Sequence, residues 1–116
     1  MATVLVTGGA GFIGAHVARL LLRRGDRVVV LDNFNDYYDP ALKEARVAQL
    51  LGEFHPTIVR ADLSDAQAVA QLFAEHQFDA VCHLAAQAGV RYSITNPRAY
   101  VQSNVVGTLN VLEQVR

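Results

Sequence analysis

The chain has 116 residues, enough for one compact domain, and 52% of them are hydrophobic, which supports a buried core. Ten basic against eleven acidic residues leave a formal net charge of −1 with no run of either sign, which argues against a nucleic-acid footprint or a basic membrane face. One cysteine, Cys82, excludes an intrachain disulfide and a cysteine-based metal site, and it points to a reducing, cytoplasmic setting.

The first 18 residues carry no Asp, Glu, Lys or Arg, but they hold four glycines and lack a basic start. They read as strand, turn and helix rather than as an export signal or a membrane span. Thr3-Val4-Leu5-Val6 is continuously apolar, as a strand buried on both faces requires. Ile13, Val17, Leu20 and Leu21 then recur at helical spacing, with Arg23 and Arg24 suited to the helix end and Gly25 supplying the stop. Val28-Val29-Val30-Leu31 is the second strand, and a polar, aromatic connection leads to Asp39-Pro40, a cap and first-turn pair for a helix to about Leu51.

Thr57-Ile58-Val59 is a short third strand, and Ser64 with Gln67 has capping-box spacing ahead of Val69, Leu72 and Phe73. Residues 79–84 form the fourth strand, where Cys82 reads as a small core residue and His83 as a satisfied core histidine. Asn96-Pro97 opens the last helix, whose apolar face is Val101, Val105, Leu109 and Leu112. Strands separated by helices imply right-handed crossovers and an α/β, Rossmann-type doubly wound parallel sheet of four strands in the order 3-2-1-4, one domain over residues 1–116. Strand four is then an edge, and an apolar one that needs cover.

The chemistry sits in Val4-Leu5-Val6-Thr7-Gly8-Gly9-Ala10-Gly11-Phe12-Ile13-Gly14. Glycines at 8, 11 and 14, after a buried strand and opening a helix, form a variant of the dinucleotide fingerprint. Gly8 permits the sharp turn, Gly11 lets backbone approach a pyrophosphate, and Gly14 lets helix and sheet pack closely. The N–H groups around Phe12 and Ile13 point at the anion with the help of the helix dipole. Asp32, 18 residues after Gly14, stands where an acidic residue accepts from the adenosine ribose hydroxyls, with Asn33 beside it. A carboxylate there repels a 2′-phosphate and favours NAD over NADP, and the next arginine, Arg46, is remote along the chain.

Asp62 and Leu63 follow the third strand, where they either hold adenine or serve as an ordinary helix cap. Leu84, Ala85 and Ala86 follow the fourth, at the carboxyl edge where such sheets bind ligands. His16, His55 and His76 share no metal-ligand spacing, so no metal site is expected.

With these residues in place, the chain resembles the extended short-chain dehydrogenase/reductase family, in particular its NAD-dependent nucleotide-sugar epimerases and dehydratases. The likeness runs through Thr7-Gly8-Gly9-Ala10-Gly11-Phe12-Ile13-Gly14, Asp62-Leu63, residues 79–86 and residues 97–104. Asp32-Asn33-Phe34-Asn35-Asp36-Tyr37-Tyr38-Asp39 and Gln87-Ala88-Gly89-Val90-Arg91-Tyr92-Ser93 are most similar to UDP-glucuronate 4-epimerases. The resemblance implies C4 epimerisation of a UDP-sugar through transient hydride transfer to NAD. It puts Gln87 and Arg91 near the sugar or its carboxylate, although Arg91 also reads as a surface residue. It makes Asn104 a supporting helix residue.

The family's base is a Tyr-x-x-x-Lys pair. Here the one lysine, Lys43, is preceded four residues earlier by Asp39, so no catalytic residue is assigned. The expectation is an N-terminal portion of an epimerase, inactive alone and self-associating as a homodimer or larger oligomer through the last helix and the bare edge strand. The alternatives are a stand-alone NAD-binding or self-associating module without catalysis, and a portion of a sugar-nucleotide dehydratase. Downstream coding sequence with an in-frame Tyr-x-x-x-Lys separates the first reading from the module.

Overall fold

The computed structural model describes residues 1–34, 40–85 and 94–116. Four strands, β1 (Thr3–Thr7), β2 (Arg27–Asp32), β3 (Thr57–Arg60) and β4 (Ala80–His83), form an all-parallel sheet in the order β3-β2-β1-β4. The expected 3-2-1-4 order is therefore correct, and β4 lies at an edge of the sheet.

The continuous apolar runs have a simple cause. Strand side chains alternate between faces, and here both faces are covered. Leu5, Val29 and Leu31 pack with Leu63, Val69, Leu72 and Val111, under α3 (Ala66–Glu75) and the final helix. Val4, Val6, Val28 and Val30 pack on the other side with Ala18 and Leu51. Those two residues belong to α1 (Phe12–Arg23) and to the π-helical stretch Val47–Leu51 that continues α2 (Pro40–Arg46). Cys82 is half-buried against this second cluster, as a core residue would be.

The inner face of α1 differs from the periodicity reading, and the last helix buries small residues beside its apolar stripe. On α1 the buried residues are Gly14, Ala15 and Ala18, whereas Ile13 and Leu20 are 64% and 65% exposed. The inner face is made of small residues because the helix starts almost on top of the preceding turn. A Cβ on Gly14 would stand 2.0 Å from the Gly8 carbonyl oxygen. The last helical segment runs from α4 (Pro97–Tyr100) through a π-helical stretch (Val101–Val106) into α5 (Gly107–Val115). Gly107 and Val111 are its buried residues, and a Cβ on Gly107 would come within 3.0 Å of the Leu63 Cβ. The stripe Val101, Val105, Leu109 and Leu112 is exposed instead.

The ends of the helices follow local chemistry. Gly25, at φ +98°, closes α1, with its N–H donating to the Leu22 carbonyl and the Asp26 N–H donating to Leu21. That pair of bonds satisfies the last carbonyls of the helix. The α3 cap is Asp65, whose carboxylate accepts from the Gln67 and Ala68 N–H groups, one residue later than the Ser64 capping box expected. Ser64 is taken instead by Asp62, which accepts from both its N–H and its hydroxyl. Asn96 caps α4, with Pro97 in its first turn. The expected cap Asp39 lies outside the described residues. Among those residues no helix is long and apolar enough to cross a membrane.

Gly14→Ala is expected to lower unfolding stability by at least about 3 kcal/mol, because backbone rather than a flexible side chain must yield. Gly52→Ala, at a helical φ of −56° with nothing within 4 Å of the new Cβ, is expected to be neutral or to stabilise by about 0.4–1 kcal/mol. Urea denaturation of the two variants measures both.

Candidate functional site

The turn between β1 and α1 is built from close backbone contacts. Gly8 has φ +71°, a left-handed conformation suited to glycine, and a Cβ there would lie 2.8 Å from the Ala85 nitrogen. Gly8 donates its N–H to the Leu31 carbonyl, and the Gly11 N–H returns to the Gly8 carbonyl. Gly9 carries a role that the fingerprint spacing did not assign: a Cβ there would enter the Val30 side chain at 2.4 Å. At Gly11 a Cβ would meet, among the described residues, only the Gly8 carbonyl oxygen, at 3.2 Å.

Helix α1 begins at this turn with Gly11 as its cap, no side-chain cap bond and no acidic residue in the first turn. Its first N–H groups, at Phe12, Ile13 and Gly14, have no intrahelical acceptor by the geometry of a helix start, and the helix dipole adds to their positive field. This cradle fits a pyrophosphate: it is donor-rich, its helix has no acidic residue in the first turn, and the nearby Asp32 carboxylate is paired with Lys43. The Phe12 and Ile13 side chains are exposed.

Asp32 ends β2 and is 5% exposed. Its Oδ2 accepts from the Ala10 N–H (3.2 Å), and its Oδ1 accepts from the Phe34 N–H (2.8 Å) and from Lys43 Nζ (2.9 Å). A carboxylate offers about four acceptor positions, so one remains on Oδ2 for a further donor. Phe34 has φ +51°, which turns the chain sharply after the strand and carries its N–H back to Asp32. The Arg60 guanidinium lies 4.0 Å from the Phe34 ring centre and pairs with Glu44.

Reading along the chain missed two cations. Lys43 and Arg46 sit three residues apart, on one face of α2, and the helix brings both back over the glycine turn. Lys43 forms the ion pair with Asp32, its side chain 14% exposed. Arg46 Nη1 donates to the Ala10 carbonyl (3.3 Å), and its guanidinium lies 5.8 Å from the Phe12 ring centre. The helical spacing was the available signal. Distance along the chain, which set Arg46 aside, was the wrong measure.

Gly8, Gly11, Asp32, Asn33, Asp62, Leu63, Leu84 and Ala85 line one cleft of about 110 Å³, together with Leu31, Lys43 and Ala61. The fold thus gathers at the carboxyl ends of the strands most of the residues the sequence singled out. Asp62 is exposed and spends Oδ1 on Ser64, while Leu63 is buried and its carbonyl accepts from Asn110 Nδ2 (2.7 Å). Phe12, Ile13 and Gly14 lie at the helix start, outside the cleft lining, and Asn104 is half-buried within the π-helical stretch Val101–Val106. Ala86, Gln87 and Arg91 lie outside the described residues. A wider, more open groove of about 940 Å³ crosses the opposite, amino ends of the strands near Arg27, Thr57, His76 and Asp79, and no fingerprint residue reaches it.

Lys43→Met should remove the cation from a buried carboxylate and lower unfolding stability by about 2–4 kcal/mol. Asp32→Asn in the same chain should restore part of that loss, which a double-mutant cycle in urea would read. Additive losses would mean that the two side chains do not act as a pair.

Comparison with known proteins agrees with this architecture. The family model described as GDP-mannose 4,6 dehydratase matches residues 5–116. UDP-glucuronate 4-epimerase 4 of Arabidopsis thaliana is 57% identical over 111 residues, covering 96% of this chain and 25% of the relative. Protein CapI of Staphylococcus aureus is 46% identical over 110 residues, covering 95% of this chain and 33% of the relative. Among solved structures, a UDP-glucose 4-epimerase from Stenotrophomonas maltophila with bound NAD and formylated UDP-arabinopyranose superposes with a TM-score of 0.83 at 36% identity. It covers 99% of this chain and 33% of that one. The Thermus thermophilus UDP-glucose 4-epimerase in complex with NAD gives a TM-score of 0.80 at 39% identity, over 97% of this chain and 33% of that one. The chain spans between a quarter and a third of the length of these relatives. Fold, fingerprint and sequence agree that the chain belongs to the GDP-mannose 4,6 dehydratase family of the extended short-chain dehydrogenase/reductases.

Proposed function

We propose that the chain is the NAD-binding portion of a nucleotide-sugar 4-epimerase whose substrate is a UDP-sugar, UDP-glucuronate in the first place. The observation that carries this reading is the convergence of Gly8, Gly11, Asp32, Asn33, Asp62, Leu63, Leu84 and Ala85 on one cleft at the carboxyl edge of the sheet. The first-turn N–H groups at Phe12 and Ile13 bind the pyrophosphate, Gly11 lets backbone approach it, and Gly14 lets helix and sheet pack closely. Asp32 accepts from the adenosine ribose with the acceptor position that Ala10, Phe34 and Lys43 leave on Oδ2. Asn33, Asp62 and Leu63 flank the adenine side, and Leu84 and Ala85 face the nicotinamide half, the part that the family resemblance also gives to Ala86. The family resemblance assigns Gln87 and Arg91 to the sugar or its carboxylate, and makes Asn104 a helix residue that supports the site.

NAD, when bound, supplies the oxidant at the sugar's C4 and then returns hydride to the opposite face. The proton transfer that accompanies this chemistry needs a base, and these 116 residues contain no Tyr-x-x-x-Lys pair. The chain by itself therefore binds cofactor without turning over substrate. The half-buried, lone thiol of Cys82 goes with a reducing, cytoplasmic setting. Calorimetric titration of NAD into the 116-residue chain should give saturable binding, weakened at least about tenfold by Asp32→Ala. Absence of heat and of thermal stabilisation at millimolar NAD would overturn the reading.

Self-association is the second part of this reading, and the exposed stripe Val101, Val105, Leu109 and Leu112 supports it. With the neighbouring β4 edge, that stripe is the surface through which two copies pair. Light scattering at micromolar concentration should give a dimer or larger species, and Leu109→Glu should shift it to monomer. A monomeric parent chain would remove this part of the account and leave cofactor binding untouched.

A further inference from the structure

The inner wall of the cleft hangs on one hydroxyl. Thr7 is fully buried, and its Oγ1 accepts from the Leu84 N–H (3.0 Å) and the Ala85 N–H (3.2 Å). The same atom lies 2.6 Å from His83 Nδ1. A hydroxyl carries one proton and two acceptor positions. The two backbone donors fill the acceptor positions, so the Thr7 proton goes to Nδ1, which must be bare. The ring proton then sits on Nε2 and is donated to Thr108 Oγ1 on α5, 2.9 Å away.

This wall is also what the phosphate turn rests on. A Cβ at Gly8 would stand 2.8 Å from the Ala85 nitrogen and 2.9 Å from its Cα, so a shift at Ala85 is felt by the turn. Leu84 has an alternative, because its N–H also reaches the Thr7 carbonyl (3.1 Å). Ala85 has no such second acceptor among the bonds of the described residues.

We propose that Thr7, His83 and Thr108 form a positioning relay that fixes the Leu84–Ala85 edge of the cofactor cleft, and that the relay holds only while His83 is neutral. The part concerning cofactor affinity rests on the cleft being the NAD site. Protonation of Nδ1 breaks the relay in two ways: it gives the Thr7 oxygen a third donor, and it leaves the Thr7 proton without its acceptor. Burial pushes the His83 pKa below the ordinary histidine value. From β1 and α5 the ring is bonded by hydroxyls, Thr7 and Thr108, and no charged group among the described residues contributes to the shift.

The sign follows from that direction. Because the folded-state pKa is lowered, the relay is intact above the ordinary histidine range of about 6.5 and is lost as pH falls through the lower folded value. Long-range proton–nitrogen NMR of the 116-residue chain at pH 7.5 should show His83 as the Nε2–H tautomer. As His83 titrates, the Ala85 amide should shift with the same midpoint, and NAD affinity should fall about tenfold.

Thr7→Ser should keep the wild-type behaviour. Thr7→Val should bind NAD about tenfold more weakly at pH 7.5 and lose the pH dependence. An Nδ1–H tautomer, or an Ala85 amide indifferent to His83 protonation, would overturn the relay, and these wild-type readouts decide even if Thr7→Val does not fold. If the chain binds no NAD while Ala85 follows His83, the relay stands and the reading of the cleft falls.

Discussion

The site depends on a distance too short for a side chain. The first turn of α1 lies so near the β1 turn that a Cβ on Gly14 would be 2.0 Å from the Gly8 carbonyl oxygen. Gly8 in turn lies against the backbone of Ala85 at the end of β4, and Gly9 against Val30 of β2. Three backbone segments are therefore nested, and the nesting aims the unpaired N–H groups of the helix start into the space above the strands. The same contact explains why the inner face of α1 is Gly14, Ala15 and Ala18 rather than the larger residues at helical spacing.

Around that nest the structure places charge with some economy. Asp32 serves the strand end, the glycine turn and α2 at once, through Phe34, Ala10 and Lys43. Lys43 offsets part of the cost of burying the carboxylate, and among the described residues Oδ2 accepts one hydrogen bond where Oδ1 accepts two. Arg46 adds a second cation beside the turn by bonding the Ala10 carbonyl. On the far side, Asn110 holds the Leu63 carbonyl and Thr108 holds His83, so α5 is tied to the loop after β3 and to the end of β4.

Much of this was legible in the sequence because it is written locally. Buried parallel strands announce themselves as apolar runs, and the strand order follows from right-handed crossovers. The glycine spacing and Asp32 are fixed by backbone geometry close to them. What was not legible depends on where elements return in space. Lys43 and Arg46 are ordinary helix residues until α2 folds back over the turn, and Thr108 and Asn110 gain their partners only when α5 packs beside β4 and Leu63. The inner face of α1 was misread for a related reason, and the close seat of Gly107 on α5 was not visible beside its apolar stripe. Hydrophobic periodicity finds large side chains, and these helices bury small residues where backbones approach closely. The α3 cap was misplaced by one residue because Asp62 takes both polar groups of Ser64, leaving the role to Asp65.

The central claim is that the carboxyl edge of this sheet, rather than the larger groove at its amino edge, is the cofactor site. Backbone-amide NMR of the 116-residue chain during NAD addition tests it most directly. The account predicts saturable shifts at residues 8–14, at Asp32 and Asn33, and at Asp62 and Leu63. Shifts confined to Arg27, Thr57, His76 and Asp79, or none at millimolar NAD, would contradict it.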